Sequence, residues 1–255
     1  MKKKVLVRAP VLSRSGYGEH SRFVLRALKT VEDRYDIYVM NISWGQTGWI
    51  YEDSEERKWI DNIIRKTHEY LTNGNKSFDI SIQVTIPNEW EKLAPMNIGC
   101  TAGTETTRIA PAWIEKTYLM DKIIVVSNHA KYAFDNTSYT AQNQQSGAVI
   151  ENFKCKTPID VVNYPVRAFE EKENFDLQLD YDFNYLLMAQ WSPRKNLENS
   201  VRWWVEEFID REVGLVIKCS VKNDSIIDRF WSEKKLKELL SQYKERKCKV
   251  YLLHG

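Results

Sequence analysis

The sequence has little of what marks several common classes of protein. A membrane-spanning helix requires about 18 consecutive apolar residues, and no stretch of the sequence approaches this length. The apolar run in the basic start is only three residues long, residues 5–7, and ends at Arg8, which is too short for the apolar segment of a secretory signal peptide. The 37 basic and 35 acidic side chains nearly cancel, so the chain as a whole lacks the positive charge of a polyanion-binding protein.

Cysteines are few and widely spaced. The four stand at positions 100, 155, 219 and 248. This spacing excludes a zinc knuckle, a CxxC redox pair and a dense disulfide scaffold. It favours reduced thiols and a cytoplasmic protein, and it gives no reason to expect a metal site.

What is present suits a folded chain with local clusters of charge. The 255 residues are 43% hydrophobic, enough for a core in one large domain or two small ones. Aromatic residues reach 12%; these build cores and also stack on sugars and bases, and composition does not separate the two uses. The first thirty residues carry eight basic side chains and one acidic one, so this region could face an anion or anionic lipid.

Short apolar runs alternate with longer segments of helical periodicity. This pattern predicts an α/β fold with a parallel, doubly wound sheet covered on both faces. The predicted strands are residues 5–7, 37–40, 80–84, 98–100, 122–126, 185–188, 213–217 and 250–253. The predicted helices are residues 19–28, 55–71, 113–120 (with Pro111 at the start), 128–134, 196–208 and 232–243.

A break in the alternation predicts two domains. Residues 163–165 punctuate the chain, and residues 170–174 form a polar run without apolar periodicity. We therefore predict a Rossmann-like domain over residues 1–165, a linker over residues 166–182 and a second Rossmann-like domain over residues 183–255. Three strands are only half of a doubly wound domain, so we expect the second domain to be either very small or partial.

The glycine segment (residues 15–18, Ser-Gly-Tyr-Gly) joins the first predicted strand to the first predicted helix. Glycines at this place let backbone N–H groups approach a phosphate, and Arg14 and Arg22 add positive charge nearby. The segment is neither a Walker A loop nor a complete GxGxxG fingerprint. An anion site and a plain tight turn are both compatible with it.

The basic segment (residues 192–196, Ser-Pro-Arg-Lys-Asn) occupies the equivalent place in the second half. Ser192 or Asn196 could cap the following helix. Arg194 and Lys195 are adjacent cations at a predicted helix start, where the helix dipole disfavours positive charge. A diphosphate bound at this position would account for them, because the cations and the backbone N–H groups would contact the same anion. The alternative is a solvated pair of cations on a loop.

The threonine loop (residues 101–108) follows the predicted strand at residues 98–100. It is rich in hydroxyl and small residues and holds one acid, Glu105. Such a loop is typical of a sugar-binding or catalytic site and also of an ordinary capped loop. Among the histidines, His20 is better placed for function than His68, which is predicted to lie on a helix surface, or His129, which is predicted to be an exposed helix-start residue.

Taken together, these segments resemble the GT-B glycosyltransferases of glycosyltransferase family 4, the "group 1" type. The resemblance rests on the order of the glycine segment, the threonine loop, residues 120–127, residues 162–166 and the basic segment. It implies two Rossmann-like domains facing across a cleft, with the nucleotide-sugar donor bound mainly by the second. It also implies a hexosyltransferase-like activity that retains anomeric configuration, without a metal or a further cofactor.

The resemblance also assigns roles to residues. Arg194 and Lys195 would hold the donor diphosphate and stabilise its charge during catalysis. Many family members have a histidine in the first domain near the reacting sugar, and the nearby loop of this chain offers Glu105 and Thr106 instead. Glu105 is therefore the third catalytic candidate. The remaining candidates are Gly16, Tyr17 and Gly18, which would close on the diphosphate, and His20, Thr104, Thr106 and Arg108 on the acceptor or sugar side.

The expected partners are a nucleotide-diphosphate sugar and a carbohydrate, lipid or protein acceptor, with no nucleic acid and with possible peripheral membrane contact. The family's Glu-x7-Glu donor motif would lie after residue 255, so we expect little transferase activity from this chain alone. Two alternatives stay open: a non-catalytic nucleotide-sugar or carbohydrate binding module, and an unrelated Rossmann-like enzyme.

Overall fold

A computed structural model describes residues 2–142, 147–168 and 176–255. The chain divides into two compact units. Unit 1 comprises Met1–Gly45 and Ile50–Arg167, and unit 2 comprises Gln46–Trp49 and Ala168–Gly255. The polar run at residues 170–174, in the predicted linker, lies outside the described residues. No helix within the described ranges has the length and apolar character needed to cross a membrane.

Unit 1 is built on a parallel sheet. Its strands are β1 (Lys3–Ala9), β2 (Tyr35–Asn41), β3 (Ile80–Val84), β4 (Met96–Thr101), β5 (Lys122–Val125), β6 (Ser138–Gln142), β7 (Val149–Lys154) and β8 (Ile159–Val161). Six of them form the sheet in the order β2-β1-β3-β4-β5-β8, with every pairing parallel. The other two, β6 and β7, form a separate antiparallel hairpin.

The helices of unit 1 are α1 (Gly16–Lys29), α2 (Glu55–Thr72), α3 (Pro111–Thr117) and α4 (Asn128–Asp135). Three of them begin after a serine whose hydroxyl accepts the N–H of the residue three positions later, at Ser15, Ser54 and Ser127. Pro111 occupies the first turn of α3, as predicted.

Apolar side chains cover both faces of this sheet. One cluster joins Val5 and Val7 of β1 to Leu25 of α1 and Ile60 of α2. A second joins Ile123 and Val125 of β5 to α3 and α4, whereas the intervening Ile124 packs against the first cluster. Because successive strand residues point to opposite faces, the two clusters lie on opposite sides of the sheet.

Unit 2 has the same plan on a smaller scale. Strands β9 (Asn184–Met188), β10 (Gly214–Cys219) and β11 (Lys249–His254) form a parallel sheet in the order β11-β10-β9. Helices α5 (Leu197–Glu207) and α6 (Ile226–Leu240) pack on it through Val201, Val205 and Leu236. Both units therefore have the Rossmann-like α/β architecture that the alternation predicts.

Four details differ from the predictions. The glycine segment is not a separate turn, because Ser15 caps α1 directly and Gly16 is already helical. Helix α6 begins at Ile226, six residues before the predicted start, and ends at Leu240. Helix α3 ends at Thr117. Strands β6, β7 and β8 were not predicted, since the hairpin strands are mostly exposed and lack an apolar run.

Candidate functional site

The glycine segment lies where the strand order of unit 1 reverses. Strand β1 pairs with β2 on one side and with β3 on the other. The chain passes from β1 to β2 and then crosses back over β1 to β3, so the direction of the connections reverses at β1. In open parallel sheets, ligands bind at such a point, outside the carboxyl ends of the strands. Helix α1 begins there, which directs its first backbone N–H groups toward this position.

The start of α1 is held by close packing and by Arg22. The N–H of Gly18 donates to Ser15 Oγ at 3.0 Å, and a side chain at Gly18 would overlap the carbonyl oxygen of Ser13. Arg22 is buried and donates to the carbonyls of Val11 and Ser13 at 2.9 and 3.0 Å. Its guanidinium also pairs with Glu19 at 2.8 Å. The positive charge of Arg22 is therefore engaged in holding the loop rather than facing an incoming anion.

Tyr17 connects the glycine segment to the threonine loop. Its Oη lies 2.9 Å from Thr101 Oγ1 and accepts the N–H of Ala102 at 3.2 Å. The ring packs against Trp44, with centroids 4.4 Å apart, and burial raises the pKa of the Tyr17 hydroxyl. Two segments separated by more than eighty residues in sequence thus meet at one end of the sheet.

The threonine loop is braced by its own hydroxyls. Thr104 Oγ1 lies 3.0 Å from Thr106 Oγ1, and Thr106 Oγ1 donates to the carbonyl of Arg108 at 2.9 Å. The Arg108 guanidinium donates to Ser138 of β6 and lies 4.6 Å from the Tyr139 ring centroid. Arg108 therefore packs against the hairpin, whereas Glu105 is exposed on the loop.

The threonine loop also depends on a glycine. Gly103 has φ +80°, a left-handed conformation that L side chains rarely adopt. A Cβ there would also lie only 2.6 Å from Ala130 Cβ in α4. Both constraints fix the path of the chain between Thr101 and Glu105.

His20 lies one turn into α1 and is 6% exposed. Its Nδ1 is 3.4 Å from Tyr164 Oη, and the two rings meet edge to face with centroids 5.0 Å apart. Burial lowers the pKa of His20 to about 4. The imidazole is therefore neutral at pH 7 and available as a hydrogen-bond partner or a base, but not as a cation for phosphate.

We predict that the His20 imidazole titrates with a midpoint of about 4 in the folded chain. An unfolded histidine titrates near 6.5, so the unfolded chain binds more protons between these values, and the free energy of unfolding falls as pH is lowered from about 6.5 to 4. NMR titration of the ring signals, assigned by comparison with His20→Gln, measures the midpoint. A midpoint near 6.5 would contradict the buried, neutral state.

The basic segment lies in unit 2, after the end of β9. Pro193–Lys195 form one 3-10 turn, and Asn196 follows with φ 49° before α5 begins. Asn196 is the N-cap residue, but its side chain makes no capping bond, and Ser192 lies before the 3-10 turn rather than at the helix start. The side chains of Arg194 and Lys195 are exposed at this edge of the sheet.

A cavity of about 410 Å³ lies beside the basic segment. It is lined by Trp191, Ser192, Pro193, Asn196, Leu197, Glu198, Asn199 and Lys235. Arg194 and Lys195 are not among these residues, so the two predicted diphosphate ligands are on the loop and outside this cavity.

Asp228 is a buried acid whose role the sequence did not reveal. Its two oxygens accept backbone N–H groups from four consecutive residues, Val221 to Asp224, at 3.0 to 3.2 Å. Burial alone would raise the pKa of Asp228, but these N–H groups outweigh it and hold the pKa below its ordinary value. The Asp228 carboxylate thus holds the loop that connects β10 to α6.

His254 and Asp224 lie beside this carboxylate. Their possible ligand atoms and that of Asp228 are all within 4.8 Å of one another, and His254 Nε2 is 3.6 Å from Asp228 Oδ2. Because the lone pairs of Asp228 are already directed at backbone N–H groups, we interpret the cluster as a loop clamp and propose no metal ion for it.

The structure brings together only some of the predicted site residues. In unit 1, Gly16, Tyr17, Gly18 and His20 lie in the first turns of α1, and Tyr17 links them to the loop that carries Thr104, Glu105 and Thr106. In unit 2, Arg194 and Lys195 lie on their own loop. Each group lies at the carboxyl end of its own parallel sheet.

Comparison with known proteins identifies no family for this chain. No protein-family model matches it, and no curated protein does. Among solved structures, it matches the crystal structure of Acinetobacter baumannii MurG with a TM-score of 0.40 and 10% sequence identity. The match covers 99% of this chain and 66% of MurG, so the chain spans just under two thirds of that protein. At this level of similarity, the match assigns neither a family nor an activity.

Proposed function

We propose that the chain is a GT-B glycosyltransferase, of the family 4 type, or a part of one, that uses a nucleotide-diphosphate sugar. The observation that carries the proposal is the contact of Tyr17 with Thr101 and Ala102. It puts a helix N-terminus next to a hydroxyl-rich loop with one exposed acid, at the reversal point of a parallel sheet. This combination suits a phosphate group on one side and a sugar on the other.

All the predicted residues except Arg108 have a role in this proposal. The amides of Gly16 and Tyr17 are in the first turn of α1, where N–H groups favour a diphosphate, whereas the N–H of Gly18 is engaged by Ser15. Glu105, Thr104 and Thr106 face the sugar side, with neutral His20 as a hydrogen-bonding neighbour. Arg108 takes no part, because its guanidinium packs against the hairpin.

In unit 2, Arg194 and Lys195 stabilise the charge that develops on the departing nucleoside diphosphate. Transfer breaks the bond between the anomeric carbon and the diphosphate oxygen, so negative charge grows on the leaving group. Positioned cations and N–H groups lower that barrier most when they are fixed before the reaction. No further cofactor enters the proposal, and retention of anomeric configuration remains part of it through the resemblance.

The experiment is a binding screen of the whole chain with UDP-, GDP- and ADP-sugars by thermal shift and calorimetry. We expect one nucleotide class to bind, and we expect Arg194→Ala/Lys195→Ala to weaken its affinity about tenfold or more. The matched control, Arg211→Ala/Lys244→Ala, removes the same charge from exposed positions elsewhere in unit 2 and should bind as the unchanged chain does.

Two results would contradict the proposal. If no nucleotide sugar binds, the chain has no diphosphate site and the proposal is wrong. If the control pair loses as much affinity as the Arg194 pair, the effect is a general loss of positive charge and the basic segment has no special role.

A further inference from the structure

The first half of α6 directs its largest apolar side chains into solvent. The four residues and their exposed fractions are Ile226 (84%), Ile227 (67%), Phe230 (60%) and Trp231 (48%). The opposite side of the same helix is buried through Asp228, Ser232, Leu236 and Leu239. The four apolar side chains therefore contribute little to the core of unit 2. We call them the α6 patch.

The α6 patch is contiguous. At 100° per residue, Ile226 and Phe230 follow one another on the outward side of the helix, as do Ile227 and Trp231. The Phe230 and Trp231 rings meet edge to face, with centroids 5.6 Å apart. Singly exposed apolar residues are common, but a contiguous group of four on one face indicates a surface that is covered when the protein acts.

Lysines continue the same outward face. Lys234 and Lys237 lie one and two turns after Phe230, and Lys234 Nζ is 5.3 Å from the Trp231 ring centroid. Two acids are near these lysines: Glu238, on the same face, forms an ion pair with Lys234 at 3.9 Å, and Glu233, beside the face, pairs with Arg229 at 2.9 Å. Residues 211–255, which include α6, carry eleven basic and six acidic side chains.

We propose that the α6 patch, with Lys234 and Lys237 beside it, docks on an anionic lipid bilayer. An exposed apolar group that contains two aromatic side chains and is bordered by lysines suits the interface of an anionic membrane. The apolar side chains enter the boundary between headgroups and acyl chains, and the lysine ammonium groups remain at the level of the anionic headgroups. This contact is in unit 2, whereas the basic first thirty residues of the chain belong to unit 1.

The test is flotation of the whole chain with vesicles of phosphatidylcholine alone or mixed with phosphatidylglycerol. We expect binding to the mixed vesicles, and we expect Ile226→Asn/Phe230→Asn to lower the partition coefficient about tenfold or more. Lys234→Ala and Lys237→Ala should each lower binding to the mixed vesicles by about fivefold, and added salt should remove the difference.

The matched control is Trp203→Asn, which removes an exposed aromatic side chain from α5 instead. It should float as the unchanged chain does. The proposal is overturned if the unchanged chain fails to float with mixed vesicles, or if the double asparagine variant floats equally well. It is also overturned if sedimentation shows a dimer that this variant dissociates and no vesicle binding, because the α6 patch is then an interface between two copies.

Discussion

Replacing Gly18 by alanine is expected to lower the free energy of unfolding by about 3 kcal/mol, the cost of forcing a side chain into closely packed backbone. A Cβ at this position would overlap the carbonyl oxygen of Ser13, and it would lie 2.9 Å from the carbonyl carbon and 3.2 Å from Arg22 Nη1. Backbone atoms do not rotate away as side chains do, so the loop itself must move.

Gly16 provides the matched control. It lies two residues earlier in the same helical turn, and a Cβ there has no heavy atom within 4 Å. Gly16→Ala is therefore expected to leave stability unchanged or to raise it by up to about 1 kcal/mol, because alanine restricts the unfolded chain more than glycine does. Urea unfolding of both variants gives the comparison. Equal losses at both positions would show that the helix start, rather than the contact with Ser13, is sensitive.

The contact between Gly18 and Ser13 also bears on the proposed site. The shift that alanine requires would move the Ser13 carbonyl and disturb the two hydrogen bonds from Arg22. The direction of the first N–H groups of α1 depends on this loop. The same variant should consequently lose nucleotide-sugar affinity, whereas Gly16→Ala should lose affinity only if its added methyl group reaches the bound phosphate.

The sequence was sufficient to predict the strands and helices that have at least one face buried in the core. Parallel strands such as β1, β5 and β10 contain apolar runs because neighbours cover them. Helix α2 has a regular buried face with Ile60, Ile63 and Thr67 at helical spacing. These patterns are local, and they follow directly from burial.

Helix α6 shows where this reasoning fails. In its first half, Ile226 and Phe230 are exposed to solvent, whereas in its second half Leu236 and Leu239 are buried in the core. The apolar residues therefore do not form one continuous face along the helix. The periodicity therefore predicted only the second half. A better signal was Ser225, which caps the helix by accepting the N–H of Asp228, as serines also do at three helices of unit 1.

The candidate site was only partly predictable. The glycine segment and the threonine loop follow strands of a parallel sheet, so both could be assigned to its carboxyl edge. Their direct connection through Tyr17 depends on one hydroxyl reaching across the sheet, and spacing along the chain contains no such information. The same holds for Arg22, whose buried pairing with carbonyl oxygens is visible only in three dimensions.

Replacing Asp228 by asparagine is expected to cost about 3 kcal/mol in unfolding free energy, with the loss confined to unit 2. An amide keeps one acceptor oxygen and introduces an NH₂ group toward backbone N–H donors, so several of the four amides from Val221 to Asp224 lose their acceptor. Hydrogen exchange should show faster exchange at these amides. Asp210→Asn, the same change at an exposed position, should leave them protected.

The pH dependence gives the sharper test of the Asp228 clamp. The pKa of Asp228 is lower in the folded chain than its ordinary value of 3.8, so the carboxylate stabilises the fold fully above that value. Its contribution is lost as pH falls from about 4 through the folded pKa. The difference in melting temperature between the unchanged chain and Asp228→Asn should therefore shrink below pH 4. A difference that stays constant to lower pH would mean that the charge of Asp228 contributes nothing and that only the shape of the side chain matters.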